Sequence, residues 1–575
     1  MTRTLTPRAG LRNSLLLLIA FVSWTSLASA DATRPSKYVI VASHKLATDA
    51  GLQMLRKGGT AVDAAIAAQM VMGLVEPQSS GIGGGSFLVH FDVKSNKVET
   101  YDGRETAPKA VTPNRFLGPD GKPLNIVDAV LGGRSVGVPG VVAMLWLAHR
   151  EHGHLPWADL FAPAIELAEN GFPVSPRLAA AIARDPALGF MPDAAAYFRP
   201  GGKMLEEGDT VENQDYADTL RKIAKLGPDG FYRGAVAEAI ASAVSKAPRG
   251  AVELTLDDLA AYKAVKREPV CGLYRAYKVC GMGPPSSGAV TSLQILKMLE
   301  RFDVAKIAPM SPQAIQLFTE AQRLAFADRA AYLGDPGFVT VPLPGMLDAK
   351  YLAGRSKLIS TKKIMDRAAI APGSPKGADV TLRRLRIPDR TKPSTAHLSV
   401  IDGNGDAVAM TTTVEGGFGS HLMAAGFILN NQLTDFSFEP GVDNRRFANA
   451  PDAGKRPLSS MTPTLVFDAK GKLFAVIGSP GSWRIIPYVA KTLIGLIDWK
   501  MDMATAVGLP NVTSRAGPTE LEANRNLEAT AETLRAMGHD VALPEQTSGL
   551  NGIRVVKDGF DAAADPRREG TVGGD

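Results

Sequence analysis

The sequence predicts a mixed α/β protein, because segments with helical and strand periodicity alternate along most of its 575 residues. Residues 45–75 carry apolar side chains at helical spacing, and Gly58-Gly59 divides this stretch into two predicted helices. Residues 87–101 alternate like two strands around a turn at Lys94-Ser95-Asn96. With 45% hydrophobic and 21% charged residues, the composition is that of a globular protein, and the length allows one large domain or two to three smaller units.

Later segments continue this alternation. Residues 141–151, 157–169 and 313–332 are predicted helices. From 354 to 394 apolar periodicity fades and Lys, Arg, Pro and Gly dominate, which is typical of a surface segment. This segment is either a plain linker or a segment that ends in a cleavage site. Strand patterns resume at residue 395 and continue to 414.

The first thirty residues predict a cleavable signal peptide. Arg3, Arg8 and Arg12 form a basic start, residues 15–24 are an apolar run that is short for a bilayer span, and Ala28-Ser29-Ala30 fits a cleavage site. We therefore expect a cut after Ala30 and a periplasmic or secreted protein. An uncleaved membrane anchor is the alternative.

Charge and cysteine content exclude two classes of function. The net charge of +6 includes three arginines of the signal segment, so the mature chain is too weakly charged to indicate nucleic-acid binding. The only cysteines are Cys271 and Cys280, which are too few for a structural zinc site of their own. A hairpin turning at Arg275-Ala276 would place them opposite each other, so a disulfide and a pair of small buried residues both remain open.

Three further patterns resemble a serine-hydrolase motif, a nucleotide-binding loop and a metal site, but an ordinary structural role explains each of them better. Gly133-Arg-Ser135-Val-Gly137 matches the pattern of a serine hydrolase, but Pro139-Gly140 follows where a helix should begin. Residues 81–86 are glycine-rich but lack the spacing of a nucleotide-binding loop, so a tight turn near a site is expected. The cluster of His149, His152 and His154 has no Cys or carboxylate constellation beside it and is expected at a solvated helix end. We expect no metal and no cofactor.

The most informative segment is a predicted hairpin at residues 395–414. Two β-branched runs flank Asp402-Gly-Asn404-Gly-Asp406, which is a turn signal. If the turn centres on Asn404, Thr395 faces Thr413 across the two strands. Directly opposed side chains lie about 4.5–5.5 Å apart at Cβ, so the two threonine hydroxyls are expected within mutual reach.

Two other elements suit the handling of an acyl substrate. The turn Gly478-Ser-Pro-Gly481-Ser482 follows an apolar strand at 473–477, and such a turn can direct consecutive backbone amides at one point, as an oxyanion hole requires. The segment that begins at Lys455 contains Ser459 and Ser460, whose paired hydroxyls suit a carboxylate. Each pattern alone also fits ordinary turn chemistry.

Taken in order, these motifs resemble the γ-glutamyltranspeptidase family from about residue 35 nearly to the C-terminus. The matching segments are residues 81–86, 101–108, 137–140, 284–288, 395–399, 429–437, 455–464 and 478–486. The resemblance implies an N-terminal-nucleophile hydrolase with a four-layer αββα sandwich fold. It also implies a precursor that cuts itself between Ser394 and Thr395 into a large subunit, 31–394, and a small catalytic subunit, 395–575, which remain associated.

The resemblance assigns catalytic roles as well. Thr395 is the implied nucleophile, and its freed α-amino group, with a pKa of roughly 7.7–8.0, is the implied base. Thr413 matches the residue that hydrogen-bonds the nucleophile. Gly481 and Ser482 match the backbone donors of the oxyanion hole. Ser482 stands where glycine is common, so its side chain is expected to crowd the site.

The same resemblance implies recognition of a γ-glutamyl donor, with glutathione as the default. Arg104 matches the arginine that binds the α-carboxylate, together with Ser459 and Ser460. Glu415, Gln432 and Asp435 match positions that recognise the α-amino group. The acyl group is expected to pass to water or to an amino-acid or peptide amine.

Two alternatives remain. A glutaryl-cephalosporin acylase of the same fold would have no substrate amino group for Glu415 and Asp435 to recognise. A non-catalytic periplasmic binding protein would have no use for Thr395, Thr413 and the turn at Gly481. The stretch 440–454 is shorter than the lid loop of many bacterial members, which predicts a more exposed acyl-enzyme.

Overall fold

The structure is a computed structural model that describes residues 34–366, 370–379, 394–443 and 445–575. From Pro35 to Asp575 the chain forms a single unit built on two antiparallel sheets. The predicted signal peptide, 1–30, lies outside the described residues, as do residues 367–369 and 380–393 of the basic segment before Ser394. Among the described helices, none combines the length and the hydropathy needed to cross a membrane.

The strands of the described residues are short and mostly antiparallel. In chain order they are β1 (Val39–Ala42), β2 (Gly85–Asp92), β3 (Lys97–Gly103), β4 (Phe172–Pro173), β5 (Thr210–Val211), β6 (Val265–Arg267), β7 (Val270–Tyr274), β8 (Tyr277–Gly281), β9 (Ala396–Ile401), β10 (Ala407–Thr413), β11 (Met423–Ala424), β12 (Phe427–Ile428), β13 (Gly441–Val442), β14 (Arg445–Arg446), β15 (Thr464–Phe467), β16 (Leu473–Gly478), β17 (Val512–Thr513), β18 (Thr519–Leu521), β19 (Val541–Ala542), β20 (Asn551–Val556), β21 (Gly559–Ala564) and β22 (Thr571–Gly574).

The helices fall into two groups on either side of the sheets. In chain order they are α1 (Lys45–Arg56), α2 (Ala61–Val75), α3 (Ile126–Val130), α4 (Val141–His152), α5 (Ala162–Asn170), α6 (Pro176–Ala183), α7 (Pro192–Phe198), α8 (Gln214–Leu226), α9 (Asp229–Tyr232), α10 (Gly234–Ser245), α11 (Leu256–Ala260), α12 (Gly288–Leu299), α13 (Pro312–Tyr332), α14 (Leu343–Met346), α15 (Ala349–Ser356), α16 (Ile485–Ile497), α17 (Met503–Gly508) and α18 (Glu528–Ala536).

Two sheets and two helical layers confirm the predicted αββα sandwich. One sheet has the order β22-β1-β9-β10-β2-β3-β6 and the other β21-β20-β16-β15-β8-β7. The sheets pack face to face through β9 and β10 against β16 and β20. Helices α1, α2 and α4 cover the outer face of the first sheet, and α12, α16 and α17 cover that of the second. Apolar side chains of successive strand residues therefore enter opposite cores.

Local sequence signals account for the helices that cover the first sheet. Helix α1 ends at Arg56 and α2 begins at Ala61, so the predicted interruption at Gly58-Gly59 lies between them. Thr60 and Asp63 then form a capping box at the start of α2, which satisfies amides that have no partner within the helix. Every residue of α2 is buried, as expected for a helix that is apolar on all sides.

One predicted helix has a different start. Residues 157–169 were expected to form a continuous helix, but Trp157–Phe161 forms a 3-10 turn and α5 begins at Ala162. Pro163 lies in the first turn of α5. Proline is tolerated there and disrupts a helix interior, because it lacks the amide proton and clashes with the preceding turn.

The hairpin of β9 and β10 has the predicted register. Ile401 pairs with Ala407 and Ala396 with Thr412, so the next pair outward is Thr395 with Thr413. The side chain of Asp402 fixes the turn by accepting hydrogen bonds from the amides of Asn404 and Asp406 and from that of Ala61 at the start of α2. The hairpin therefore lies at the centre of the first sheet with its open end at the two threonines.

The open question about the cysteines has an answer in the second sheet. Strands β7 and β8 form the predicted hairpin, with Cys271 directly opposite Cys280. The two sulfurs form a disulfide. Arg275 occupies the turn with a φ of +53°.

Candidate active site

The two hairpin threonines meet at one end of the first sheet. The Oγ1 atoms of Thr395 and Thr413 are 3.0 Å apart, and the residues are 5% and 2% exposed. The amide of Glu415 donates a 2.8 Å hydrogen bond to Thr413 Oγ1, which fixes the rotamer of that side chain. The predicted pair of hydroxyls is therefore present, buried and oriented.

The neighbouring strand makes room for this pair. Thr413 lies opposite Gly85, the first residue of β2. A Cβ at the preceding Gly84 would lie 2.0 Å from the Thr413 carbonyl oxygen, so only glycine fits there. The glycine-rich segment 81–86 thus forms the close turn beside the site that its sequence indicates.

The backbone of Thr395 is held from both sides. Its amide donates to the Ser79 carbonyl at 3.1 Å, and its carbonyl accepts from Arg568 Nη1 at 2.9 Å. Its φ is +91°, a conformation that is strained for a β-branched residue. Sequence reasoning missed Arg568, because nothing near it in the sequence relates it to a residue 173 positions away.

The residue before Thr395 is anchored to the same loop. Ser394 donates its hydroxyl to the Gln78 carbonyl. Arg177 Nη1 donates to Glu76 Oε1 at 2.6 Å and to Ser79 Oγ at 3.0 Å. The peptide bond between Ser394 and Thr395 therefore lies between two residues that are each fixed to the loop at 76–79.

The predicted oxyanion turn opens helix α16. Gly481 has a φ of +136° and Ser482 one of +57°, and a 3-10 turn, Ser482–Arg484, leads directly into the helix. Within the described part of the chain, the amides of Gly481 and Ser482 donate to no acceptor. Unpaired amides at the start of a helix suit a developing negative charge.

One cavity collects the predicted residues. Nine of the ten sequence-predicted site residues line it, namely Thr395, Thr413, Ser482, Arg104, Glu415, Gln432, Asp435, Ser459 and Ser460. Gly481 lies next to Ser482 in the chain and is not part of the lining. Sequence reasoning missed Arg329, Arg515 and Trp483, which also line the cavity.

Opposite charges meet on the wall of this cavity. Arg104, 1% exposed, donates from Nη2 to Asp435 Oδ2 at 2.6 Å. It also donates to the carbonyls of Pro457 and Leu458 at 3.1 and 3.0 Å, which fixes the plane of the guanidinium. Gln432 Nε2 donates to the same Asp435 oxygen at 2.6 Å. A fixed cation beside a fixed carboxylate matches the zwitterionic head group of an amino acid.

The predicted serine pair has defined partners. Ser459 Oγ accepts from the Met461 amide at 3.2 Å. Ser460 Oγ accepts from Arg329 Nη2 at 2.9 Å, and Arg329 Nε donates to Ser287 Oγ at 2.7 Å. Burial, together with the neighbouring Arg515, lowers the pKa of Arg329 to about 9. A second buried arginine therefore lines the cavity beside the serine pair and holds the hydroxyl of Ser460.

A buried carboxyl group lies beneath Arg104. Glu105 is fully buried, and among the described residues neither of its carboxyl oxygens has a hydrogen-bond partner. Burial raises the pKa of Glu105 to about 8, although Arg104, whose Nη1 is 3.8 Å away, lowers it. Glu105 is therefore mostly protonated and uncharged at neutral pH, so it does not neutralise Arg104. The positive charge of Arg104 remains available to Asp435 and to a ligand.

The serine-hydrolase pattern has a structural role. Ser135 lies in a 3-10 turn, and its hydroxyl donates to the carbonyls of Val130 and Gly132 at 2.6 and 3.1 Å. A serine that closes its own turn in this way is no activated nucleophile.

Comparison with known proteins agrees with this geometry. The family model described as gamma-glutamyltranspeptidase matches residues 47–574. The chain is 37% identical to the glutathione hydrolase proenzyme of Escherichia coli over 545 residues, 93% of this chain and 91% of that protein. It is 36% identical to the acylase ACY 1 proenzyme of a Pseudomonas species over 552 residues, 93% of each chain.

Solved structures have the same architecture. A cephalosporin acylase from Bacillus halodurans superposes with a TM-score of 0.81 at 25% identity, covering 97% of this chain and 99% of that chain. A γ-glutamyltranspeptidase chain from Helicobacter pylori superposes with a TM-score of 0.55 at 35% identity, covering 58% of this chain and 94% of its own. With the family model matched over most of its length, the chain belongs to the γ-glutamyltranspeptidase family, and it is an enzyme of the N-terminal-nucleophile hydrolase type.

Proposed function

We propose that the protein is a self-processing γ-glutamyl hydrolase and transferase with Thr395 as its nucleophile. The main support for this proposal is that one cavity contains both a pair of threonine hydroxyls and a pair of opposite charges. Thr395 and Thr413 supply a paired hydroxyl nucleophile, and Arg104 and Asp435 supply the opposite charges that a γ-glutamyl head group requires. Glutathione and related γ-glutamyl compounds are the proposed donors.

The proposed reaction begins with a cut between Ser394 and Thr395. The cut frees the α-amino group of Thr395, which at neutral pH is partly unprotonated and takes the proton from Thr395 Oγ1. The oxygen attacks the γ-carbonyl of the donor, and the amides of Gly481 and Ser482 stabilise the resulting oxyanion. The amine leaves with the proton, and a γ-glutamyl ester on Thr395 remains. Water or an acceptor amine then takes the acyl group and releases Thr395.

The sheet order explains how two chains would stay together after the cut. The proposed small subunit, 395–575, supplies β9, β10 and β22, and the large subunit, 31–394, supplies β1 and β2. Strand β1 lies between β22 and β9, and β2 pairs with β10. Strand β1 of the proposed large subunit is therefore enclosed by strands of the small one, and a cut at Ser394–Thr395 would break none of the hydrogen bonds between strands of this sheet.

Two other functions fit less well. The chain is similar to proteins named acylase ACY 1 and cephalosporin acylase. A glutaryl-cephalosporin substrate, however, lacks the α-amino group, so Asp435 and Gln432 would face no substrate cation. A non-catalytic periplasmic binding protein gives no reason for the contact between Thr395 and Thr413 or for the unpaired amides at Gly481 and Ser482. A periplasmic or secreted location is proposed on the signal sequence alone.

The first experiment compares a γ-glutamyl anilide with a glutaryl anilide, which differ only in the α-amino group. We expect kcat/KM to be at least tenfold higher for the γ-glutamyl compound. Asp435→Asn should reduce this preference, whereas the control Asp229→Asn, at an exposed aspartate outside the cavity, should preserve it. Equal or faster cleavage of the glutaryl compound would replace this proposal with the acylase.

Intact mass tests the self-cleavage. The wild-type protein should give two chains with the second starting at Thr395, and Thr395→Ala should give one inactive chain. Two chains from Thr395→Ala would rule out Thr395 as the nucleophile. The N-terminus of the larger chain also tests the predicted cut after Ala30.

A further inference from the structure

A cluster of metal-binding side chains lies on the outer face of the first sheet, away from the threonine pair. It consists of His90 on β2, Glu99 on β3 and His152 at the last residue of α4. One ligand atom from each residue lies within 4.8 Å of the other two. His90 is directly opposite Glu99 in the register of β2 and β3, and His152 Nε2 is 2.6 Å from Glu99 Oε2.

His90 gives the cluster a feature that a solvated ion pair does not have. Its side chain is 1% exposed, and its Nδ1 is buried without a hydrogen-bond partner among the residues that the structure describes. Its ring packs on that of His152 with 4.0 Å between the centroids. A buried polar nitrogen without a partner is costly to the folded state, and a metal ion bound to it would remove that cost.

We propose that His90, Glu99 and His152 bind a divalent transition-metal ion, and the donor set selects Zn²⁺. Two imidazoles and one carboxylate are a zinc-type set of three protein ligands, whereas Mg²⁺ and Ca²⁺ prefer oxygen ligands alone. Zinc ligands lie about 2.0–2.2 Å from the metal. The three ligand atoms already lie within 4.8 Å of one another, so changes in side-chain torsion angles bring them to a shared ion. The fourth position is open to water or to Tyr101, whose hydroxyl is 2.8 Å from His152 Nε2.

The surroundings orient the carboxylate for this task. Lys266 Nζ is 2.7 Å from Glu99 Oε1 and 2.6 Å from Glu151 Oε2. Glu99 therefore has one oxygen held by Lys266 and the other directed at His152. Such contacts from outside the ligand set commonly orient metal ligands.

The position of the cluster indicates a structural role. His90 is five residues along β2 from Gly85, the partner of Thr413, which corresponds to roughly 17 Å along a strand. A bound ion would join β2 and β3 to the end of α4. We therefore expect the ion to raise the unfolding temperature and to leave kcat and KM for the anilide unchanged. No metal was expected from the sequence, because no Cys or carboxylate constellation stands beside the histidines at 149–154; His90 and Glu99 are more than 50 residues away from His152 in the chain.

The test uses the untagged, full-length processed protein after chelation and gel filtration. Titration with ZnCl₂ should show one equivalent bound with micromolar or tighter affinity, and Co²⁺ should give the visible absorption of a four-coordinate site. MgCl₂ should have no effect. Glu99→Gln and His152→Gln should each weaken zinc binding at least tenfold. His154→Gln is the matched control, since this neighbouring side chain is exposed and contacts Gly58 instead.

Two results would overturn the proposal. One is the absence of stoichiometric binding at 100-fold excess of ZnCl₂ over protein. The other is an affinity that Glu99→Gln and His152→Gln leave unchanged. Because His90 is buried and its replacement can prevent folding, the test uses substitutions of the two partly exposed ligands, Glu99 and His152. The anilide assay does not depend on zinc binding, so a negative zinc titration would not contradict the proposed function.

Discussion

Replacing Thr413 with valine isolates the contribution of one hydroxyl to both proposed reactions of Thr395. Valine keeps the β-branched shape of threonine, so the packing of β10 is preserved. It removes the oxygen that lies 3.0 Å from Thr395 Oγ1 and that accepts the Glu415 amide at 2.8 Å. Both contacts are lost in one substitution.

The expected magnitude follows from these two hydrogen bonds. A buried group left without its partner costs about 1–3 kcal/mol. If the transition state loses about 1.4–2.8 kcal/mol because Thr395 is less well oriented, the rates of precursor cleavage and of acylation each fall about 10- to 100-fold. The residues proposed to bind the donor, Arg104 and Asp435, are left in place, so KM should change less than about threefold.

The assay follows the uncut precursor by intact mass over time and then measures single-turnover acylation on the processed fraction. Thr413→Ser is the control, because it restores the hydroxyl without the methyl group and should recover most of both rates. Cleavage and acylation by Thr413→Val within twofold of the wild type would refute the reasoning. Equal losses in Thr413→Ser and Thr413→Val would show that packing, rather than the hydroxyl, matters.

Three other substitutions test the surroundings of the site. Arg104→Lys should raise donor KM at least tenfold with a smaller effect on kcat, because lysine cannot keep the guanidinium contact to Asp435, and an unchanged KM would contradict this. Arg568→Met should slow precursor cleavage about tenfold by freeing the Thr395 carbonyl, and a wild-type time course of intact mass would contradict it. Burial raises the pKa of Glu105 from 4.5 to about 8, so the folded state favours the protonated form and stability falls as pH rises from about 4.5 to 8. Glu105→Gln should flatten this part of the thermal unfolding profile, and an unaltered pH slope would contradict it.

The part of the site that depends on local sequence could be predicted. The turn Asp402-Gly-Asn404-Gly-Asp406 sets the hairpin register by itself, because a tight turn leaves a single pairing for the strands that it joins. The contact between Thr395 and Thr413 follows from that register. The break between α1 and α2 is equally local, since Gly58-Gly59 ends one helix and Thr60 caps the next. The four-layer fold and the proposed substrate-binding residues were predicted from the resemblance to a family instead.

The rest depends on contacts between distant parts of the chain. Arg568 reaches the Thr395 carbonyl, and Arg329 reaches Ser460, only because the fold brings together residues that are 173 and 131 positions apart in the chain. The sequence around His152 likewise gives no sign of His90 or Glu99, which the pairing of β2 and β3 brings beneath the end of α4. Periodicity describes which face of an element is buried, but it does not specify its partner.

The strained backbone of Thr395 gives the last prediction. Its φ of +91° costs a β-branched residue about 1–3 kcal/mol. This dihedral is defined by the carbonyl carbon of Ser394, so it exists only while the peptide bond is intact. The proposed cut therefore removes the strain, and strain relieved in the transition state would speed the cut by up to about 100-fold.

Two uncleavable variants separate this strain from the chemistry. Thr395→Ala and Thr395→Gly both lack the hydroxyl, but only glycine adopts a positive φ without cost. The precursor with glycine should therefore be more stable than that with alanine by about 1 kcal/mol, even though glycine loses more conformational freedom on folding. Urea unfolding of the two intact chains measures this difference. Glycine is normally less stable than alanine by about 0.5–1 kcal/mol, because it loses more conformational freedom on folding. A glycine variant that is less stable than the alanine variant by this full amount would mean that the native backbone at this position is unstrained.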